Sequence, residues 1–519
     1  MRNPFLIKLC ERLAENDPRL DVVSLIKLPT WQASTDEFRL LSNALAGNTT
    51  IRWLELGLDE STTTLDLSVL AFISSLHTLV IRVTSCTEAL GNALSAIRKI
   101  PNLHRVELQW MGQSMPSVAK QQDIFRNLAR VPSISLKGFR LEPGDIEPLS
   151  WQELVLDSCD LTSATSLEWL PTCGSRIFKL YISNSQLSTA SLRTMAENYN
   201  NLRVLDLSRN NLTELHCPSL CELLDSAPNL LSLSLADNPE IGDIGIHQVC
   251  ETVSHRIQQL DLSNCQISKS LTMLVDTFPF LEAINLSENP LSDFLSLQEA
   301  SKLKELVLQS LPSGLGNFRL VLDHWNAPQS FVALERMDLS GNHLTEKDLA
   351  SVGACCCKIL VLAGCRIDND GFSTLLSSSR HTFWTELHLS YNRIGDGVAK
   401  TWAENLVRLQ SLRCLSLDNN HFTNEGLRAI LDVGLPHRLE YLNIKSRKVE
   451  EEEKSDEWKK LLQQLRHQLL LNRAGKSLLF SKSLSSCLVP WILAEAQSVY
   501  GKDAVFDFLR SKPDIIARP

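Results

Sequence analysis

One short string recurs along most of this 519-residue chain and limits what the chain can fold into. In LRVLDLSRNNL, which starts at Leu202, aliphatic residues stand at offsets 0, 3, 5 and 10, and Asn210 stands at offset 8. Offsets 3 and 5 are alternate residues of a short strand, so their side chains point to one face. We expect the asparagine to bond backbone groups of the turn that leaves the strand, because stacked repeats cannot leave such groups unpaired.

The string returns often enough to define an array of about 17 repeats. Clear matches start at Trp151, Leu202, Ile257, Leu281, Leu334, Cys357, Trp384 and Leu412. Weaker matches start at Val23, Ile51, Leu76, Leu103, Val131, Ile177, Leu230, Leu303 and Leu439. Cysteine takes the asparagine position in three repeats, at Cys159, Cys265 and Cys365. Successive starts are 20 to 31 residues apart, so the array is irregular.

Between the strings the apolar spacing becomes helical. After Phe422, for example, Thr423 or Asn424 can cap a helix whose inner face carries Leu427 and Ile430. Each repeat is therefore predicted to be a strand followed by a helix, with a hydrophobic side that it cannot bury alone. Stacking of successive repeats buries that side.

Over roughly residues 20 to 450 these motifs resemble the leucine-rich repeats of the ribonuclease-inhibitor type, which have about 28 residues and a helix on the convex side. The resemblance implies an α/β horseshoe solenoid with a parallel concave sheet, convex helices and a helical C-terminal cap. It implies less about function, since this fold hosts inhibitors, innate-immune sensors and GTPase activators alike.

The composition of the two ends differs from that of the array. We predict an N-terminal helical cap over residues 1-20, a repeat domain over 21-449, and a helical C-terminal cap or docking tail over 450-519. Apolar residues at helical spacing indicate helices at both ends, and they are Phe5, Leu6, Leu9, Leu13, Trp458, Leu461, Leu462, Leu465 and Leu469. The tail is also similar to those that follow such repeats in microalgal proteins, which are mostly of unknown function.

Composition excludes several functional classes. The net charge of -9 argues against nucleic-acid binding, which needs a basic face. No window approaches the roughly 18 apolar residues of a membrane helix, so no membrane insertion is expected. The 14 cysteines show no disulfide framework, and many occupy core-type positions. A reducing, cytoplasmic location is therefore expected.

The sequence shows no motif for catalysis, a cofactor or a metal. The string AGKS at 474–477 lacks the earlier glycine of a phosphate loop, because position 470 is leucine. Cys355 to Cys357 and the pair His216 and Cys217 lack CxxC spacing and are interpreted as core residues. No GxSxG or HExxH string is present, and no small-molecule substrate is evident. We therefore expect a non-enzyme.

The resemblance leaves two alternatives to a binding scaffold or inhibitor-like module. A Ran-type GTPase activator works by contacting switch regions rather than through its own nucleophile. Many such proteins carry a long acidic tail, whereas here the run of four glutamates at 450–453 is brief. A ligand sensor of the innate-immune type is the other alternative. No nucleotide-binding domain precedes the repeats in these 519 residues, so a complete nucleotide-driven receptor is not expected.

A protein partner is expected to bind the concave sheet, because offsets 2, 4 and 6 point away from the core. In the middle of the array this surface is small, polar and somewhat acidic, and aromatic residues that could anchor an interface lie toward both ends. The candidate partner-binding residues are Trp53, Trp110, Tyr181, Asp206, Asp261, Asn285, Asp338, His388, Tyr391 and Tyr441. The competing interpretation is a solvated sheet face, since Asp and Ser are common at these offsets in repeats of this type.

Overall fold

The structure is a computed structural model, and it describes most of the chain between residues 4 and 473. The described ranges are 4–24, 35–58, 67–83, 94–112, 126–141, 150–162, 167–170, 175–196, 199–253, 256–327, 334–378, 384–406, 408–436, 438–445 and 456–473. The chain divides into two compact units, residues 1–266 and 267–519.

The first unit contains ten described strands, each paired in parallel with the next along the chain. They are β1 Val22–Ser24, β2 Trp53–Leu58, β3 Thr78–Val83, β4 Arg105–Trp110, β5 Ser133–Lys137, β6 Glu153–Asp157, β7 Lys179–Ser183, β8 Val204–Asp206, β9 Ser232–Ser234 and β10 Gln259–Asp261. Its described helices are α1 Pro4–Ala14, α2 Thr35–Ala46, α3 Thr189–Met195, α4 Cys217–Asp225 and α5 Gly242–Thr252, with 3-10 helices at Leu67–Phe72 and Glu214–His216.

The second unit contains seven described strands with the same parallel pairing. They are β11 Ala283–Asn285, β12 Glu305–Val307, β13 Leu334–Asp338, β14 Cys357–Val361, β15 Glu386–His388, β16 Cys414–Ser416 and β17 Tyr441–Asn443. Its described helices are α6 Leu271–Thr277, α7 Phe318–Trp325, α8 Glu346–Ala354, α9 Asn369–Ser378, α10 Ala399–Asn405, α11 Asn424–Val433 and α12 Asp456–Arg473, with 3-10 helices at Leu295–Glu299 and Asp396–Val398.

The predicted fold class is confirmed, because each unit is an α/β solenoid of stacked strand-and-helix repeats. Sixteen of the predicted repeat starts fall on or just before the strand that they predict. The start at Val23 was wrong by three residues. Val23 is buried and pairs with Leu54, so it occupies offset 3 and the first repeat starts at Leu20. The run VVSLIKL carries too many aliphatic residues to define its own register.

Buried asparagines join neighbouring repeats as the sequence predicts. Asn238 is fully buried, and its Oδ1 accepts hydrogen bonds from the backbone N–H groups of Asn210 at 3.0 Å and Leu212 at 2.9 Å. Its Nδ2 donates to the carbonyl oxygen of Leu207 at 3.1 Å and to that of Leu235 at 2.8 Å. One side chain therefore satisfies backbone groups of two repeats where water is excluded.

Cysteine can also occupy this position and bond backbone groups. At Cys265 the Sγ donates to the carbonyl oxygen of Leu235 at 3.1 Å. Burial raises the pKa of this thiol to about 12, so it remains protonated and keeps its hydrogen to donate.

The residue before the asparagine position adopts a left-handed backbone conformation in most repeats. Arg209, Asp237 and Tyr391 do so with φ values of 58°, 56° and 60°. This turn ends the strand and reverses the alternation of side chains. Gly138 makes the same turn at φ 75°, and there a Cβ atom would lie 2.8 Å from the carbonyl oxygen of Trp110.

A helix lies against the first and the last described repeats. At the N-terminal end, Asn48 Nδ2 donates to the carbonyl oxygen of Leu13 in α1 at 2.7 Å. At the other end, Trp458 of α12 is 1% exposed, and Asn472 Nδ2 donates to the carbonyl oxygen of Leu439 at 2.7 Å. The helix predicted around Trp458 is thus present as α12. The helices predicted after residue 473 lie outside the described residues.

Candidate functional site

The exposed face of the sheet in the first unit carries a row of three candidate residues. Strand pairing places Tyr181 of β7 beside Asp206 of β8, then Ser234 of β9, then Asp261 of β10. All four are half-buried, while the intervening strand residues Leu205 and Leu233 point into the core. Stacking in register therefore brings together Tyr181, Asp206 and Asp261, which are far apart in the sequence.

A polar cleft of about 520 Å³ lies over Asp206, Ser234 and Asp261 of this row. It is lined by Lys137, Asp157, Ser158, Ser183, Asn184, Asp206, Ser208, Arg209, Ser234, Ala236, Asp237, Asp261 and Ser263. Four aspartates face one lysine and one arginine, so the lining is formally acidic. The other side chains are small, which leaves room for a long side chain from another molecule.

The two basic residues of the cleft are already paired. Lys137 Nζ lies 2.7 Å from Asp157 Oδ2, and Arg209 Nε lies 2.9 Å from Asp237 Oδ2. The pKa of Asp237 is lowered, first by the hydrogen bond that it accepts from the Asn264 side chain and then by Arg209. These contacts neutralise the outer part of the cleft.

Asp206 and Asp261 form no salt bridge among the described residues, although Asp206 is close enough to Arg209 to help raise the pKa of that guanidinium, after Asp237 and Asp157. In both residues Oδ1 accepts hydrogen bonds from the serine two residues later, at the end of the same strand. Asp206 accepts from the Ser208 N–H at 2.9 Å, and Asp261 accepts from the N–H and Oγ of Ser263 at 3.0 and 2.8 Å. These bonds fix the carboxylates in place but do not neutralise them. The centre of the cleft therefore presents two oriented negative charges to solvent.

Charges farther toward the N-terminus are paired along the sheet. Arg82 lies 2.7 Å from Glu55, and Arg105 lies 3.0 Å from Glu153. Trp53 lies half-buried on the same side of its strand as Glu55. This part of the face is close to neutral.

Trp110 is not the exposed anchor that the sequence predicted. It is 9% exposed and packs against Phe139, with ring centroids 6.4 Å apart. The reason is the length of β4, which continues through Trp110 instead of turning after five residues. The alternation of the strand then places this side chain on the buried face with Val106 and Leu108.

Asp338 was also wrongly expected to be available to a partner. It is 2% exposed, and its Oδ2 accepts from Gln309 Nε2 at 2.9 Å and from Arg336 at 3.2 Å. Its Oδ1 accepts from the N–H and Oγ of Ser340. Long neighbouring side chains thus cover and saturate this carboxylate, whereas Ser234 leaves Asp206 and Asp261 open.

The remaining candidates lie in the second unit. Asn285 is half-buried, and its Oδ1 accepts from the N–H and Oγ of Ser287. Tyr391 and Tyr441 are 61% and 52% exposed. Their exposure leaves both rings available for contacts, while Asn285 is engaged in the same local turn as Asp206 and Asp261.

His388 belongs to a cluster that the sequence interpretation missed. Glu386, His388 and Cys414 each offer a potential metal-ligand atom, and the three atoms lie within 4.8 Å of one another. Glu386 and Cys414 occupy offset 2 of successive repeats, and strand pairing places them side by side. Comparing equal offsets in adjacent repeats would have found them.

The chain is similar to leucine-rich repeat proteins of the ribonuclease-inhibitor type. Two family models described as leucine-rich repeats match the chain, one over residues 226–247, 382–397 and 408–431 and the other over 201–223. The ribonuclease inhibitor of Sus scrofa is 26% identical over 325 residues, which are 55% of this chain and 68% of that protein. Together these similarities support a protein-binding repeat module.

A second group of relatives is similar over a shorter stretch. NACHT, LRR and PYD domains-containing protein 3 of Rattus norvegicus is 32% identical over 178 residues, covering 31% of this chain but only 17% of that protein. Among solved structures, the crystal structure of a TLR13-ssRNA13 complex aligns with 81% of this chain and 69% of that one, at 18% identity and a TM-score of 0.48. In the described part of the chain, no helix has the length and apolar character to cross a membrane.

Proposed function

We propose that this chain is a non-catalytic protein-binding module whose first unit takes a basic segment of a partner protein into the cleft over Asp206 and Asp261. The observation that carries the proposal is the pair of oriented carboxylates that form no salt bridge among the described residues, in a cleft whose lysine and arginine pair with other aspartates. A lysine or arginine from a partner would complete the charge pairing. Charge complementarity of this kind sets specificity and association rate.

The shape of the cleft fits a protein segment better than a small substrate. Its walls are mostly the short polar side chains of several successive repeats, and Tyr181 lies beside Asp206 on the neighbouring strand. Small-molecule sites are mostly apolar, with a few polar groups. Extended solenoid surfaces of this type are used to bind other macromolecules.

The relatives suggest which partner to test first. Ribonuclease inhibitor, by its name, inhibits ribonuclease, so a ribonuclease is a defined first probe for this chain. We also propose a reducing, cytoplasmic location. The proposal is supported by the eleven cysteines in the described residues, which form no disulfide.

The experiment compares partner affinity between two matched variants. Native crosslinking in extract identifies candidate partners, and calorimetry then measures the affinity of each purified candidate and of ribonuclease. Asp206→Lys with Asp261→Lys should weaken binding at least about tenfold, because close charge pairs across interfaces contribute about 1.5 kcal/mol or more. The control, Asp225→Lys with Asp276→Lys, makes the same change of charge on exposed positions of α4 and α6 and should leave affinity unchanged.

Two outcomes would contradict the proposal. Equal affinity of wild type and the Asp206→Lys, Asp261→Lys variant would show that the cleft is not the binding surface. Faster GTP hydrolysis by a small GTPase in the presence of catalytic amounts of the chain would instead support the activator class.

A further inference from the structure

We infer that Glu386, His388 and Cys414 form a zinc-binding site on the exposed strand face of the second unit. The inference does not depend on the proposed protein-binding function, because it concerns a different unit and different chemistry. It rests on the geometry of β15 and β16 and on the ligand preferences of divalent ions.

The strands place the three groups together. Glu386 and His388 are two residues apart on β15, so both side chains project from the same face, and the intervening Leu387 is buried. Cys414 on β16 pairs directly with Glu386. His388 Nε2 lies 3.2 Å from Glu386 Oε2, and the Cys414 thiol lies with them inside the 4.8 Å cluster.

These distances need little adjustment to hold an ion. Zinc bonds of about 2.0–2.3 Å in tetrahedral geometry separate neighbouring ligand atoms by about 3.3–3.8 Å. His388 Nε2 and Glu386 Oε2 share a hydrogen bond at 3.2 Å, slightly shorter than that separation, so zinc would replace the shared proton and move the two atoms slightly apart. The Cys414 Sγ atom would move closer through a rotamer change. All three residues are half-buried, so an ion could enter from solvent without disrupting the core.

The three donor groups, a carboxylate, an imidazole and a thiol, favour some metal ions over others. Calcium and magnesium prefer oxygen ligands alone, whereas thiolate with imidazole favours zinc and similar ions. Burial, and then the nearby Glu386 carboxylate, raise the pKa of the Cys414 thiol. A divalent cation between these groups would reverse that effect, because it stabilises thiolate and carboxylate together.

Three protein ligands leave a fourth tetrahedral position open. Because all three residues are half-buried, we expect that position to hold a water molecule in the isolated chain. Tyr441 pairs with Cys414 from the next strand and is 52% exposed, so it borders the site on one side.

The test uses cobalt as a spectroscopic probe on the full chain. After metal removal with a chelator, Co²⁺ should produce thiolate-to-metal charge-transfer absorption in the near ultraviolet, and Zn²⁺ should displace it at one equivalent. Cys414→Ser should abolish this absorption. Glu386→Gln and His388→Ala should each lower zinc affinity at least about a hundredfold, since even loss of an outer-shell partner costs 10–100-fold.

The controls separate this site from other thiols and histidines. Cys356 is exposed, contrary to its interpretation as a core residue, and His343 is exposed too. Both lie outside the cluster, so Cys356→Ser and His343→Ala should bind both ions as wild type does. Circular dichroism identifies any variant that fails to fold. If another variant is unfolded, the zinc affinity of Glu386→Gln, the most conservative change, decides whether the site exists. Absorption that persists in Cys414→Ser, or a wild-type chain that binds no cobalt, would overturn the assignment.

Discussion

Replacing Asn238 with alanine tests whether the buried asparagines hold adjacent repeats together. The substitution removes the acceptor of two buried backbone N–H groups, those of Asn210 and Leu212. Each unsatisfied buried donor costs about 1–3 kcal/mol, so the local structure should lose about 2–6 kcal/mol. The carbonyl oxygens of Leu207 and Leu235 also lose a donor, which adds to this cost.

Hydrogen exchange measures this loss where it occurs. A repeat array need not unfold in one step, so a global midpoint could hide a local change. In Asn238→Ala, peptides covering 205–215 should exchange at least about thirtyfold faster, which corresponds to about 2 kcal/mol. The control is Asn229→Ala, which removes one surface hydrogen bond to the carbonyl oxygen of Asn200 and should leave these peptides unchanged. Unchanged protection of 205–215 in Asn238→Ala would refute the role assigned to the asparagines.

Two further predictions concern the first unit. Gly138→Ala should lower stability by about 1–2 kcal/mol or more in denaturant unfolding, because φ is 75° and the new Cβ would meet the backbone oxygen of Trp110. The control Gly57→Ala should not lower stability, because a Cβ atom at that position meets nothing within 4 Å. The pKa of Asp237 lies below its ordinary value of 3.8, chiefly because the carboxylate accepts a hydrogen bond from Asn264. Its ionised form therefore stabilises the fold above pH 3.8, and this stabilisation is lost as pH falls through the folded-state pKa. Between about pH 5 and pH 2, Asp237→Asn should therefore lose less stability than wild type, and parallel pH profiles would contradict this.

Much of the fold could be predicted because the spacing of residues within each repeat shows which side chains face the core. Apolar residues at offsets 3 and 5 define the inner face of each strand, and the polar residue at offset 8 defines the turn that follows. The prediction failed at Val23, where neighbouring aliphatic residues allow two registers and pairing with Leu54 selects one.

The candidate site was less predictable, because exposure depends on neighbours. Asp206, Asp261 and Asp338 occupy the same offset with the same local turn. Asp338 is buried because Arg336 and Gln309 reach over it, while the serine between Asp206 and Asp261 is too short to cover either.

The sequence by itself determined the repeat, the parallel strands and the candidate face, since these follow from local periodicity and from the burial that stacking requires. Only the tertiary structure decided that Trp110 is buried, and that Glu386, His388 and Cys414 meet. The physical reason is that strand length and side-by-side contacts depend on pairing between repeats. Glu386 and Cys414, which are 28 positions apart, become neighbours only when successive repeats stack.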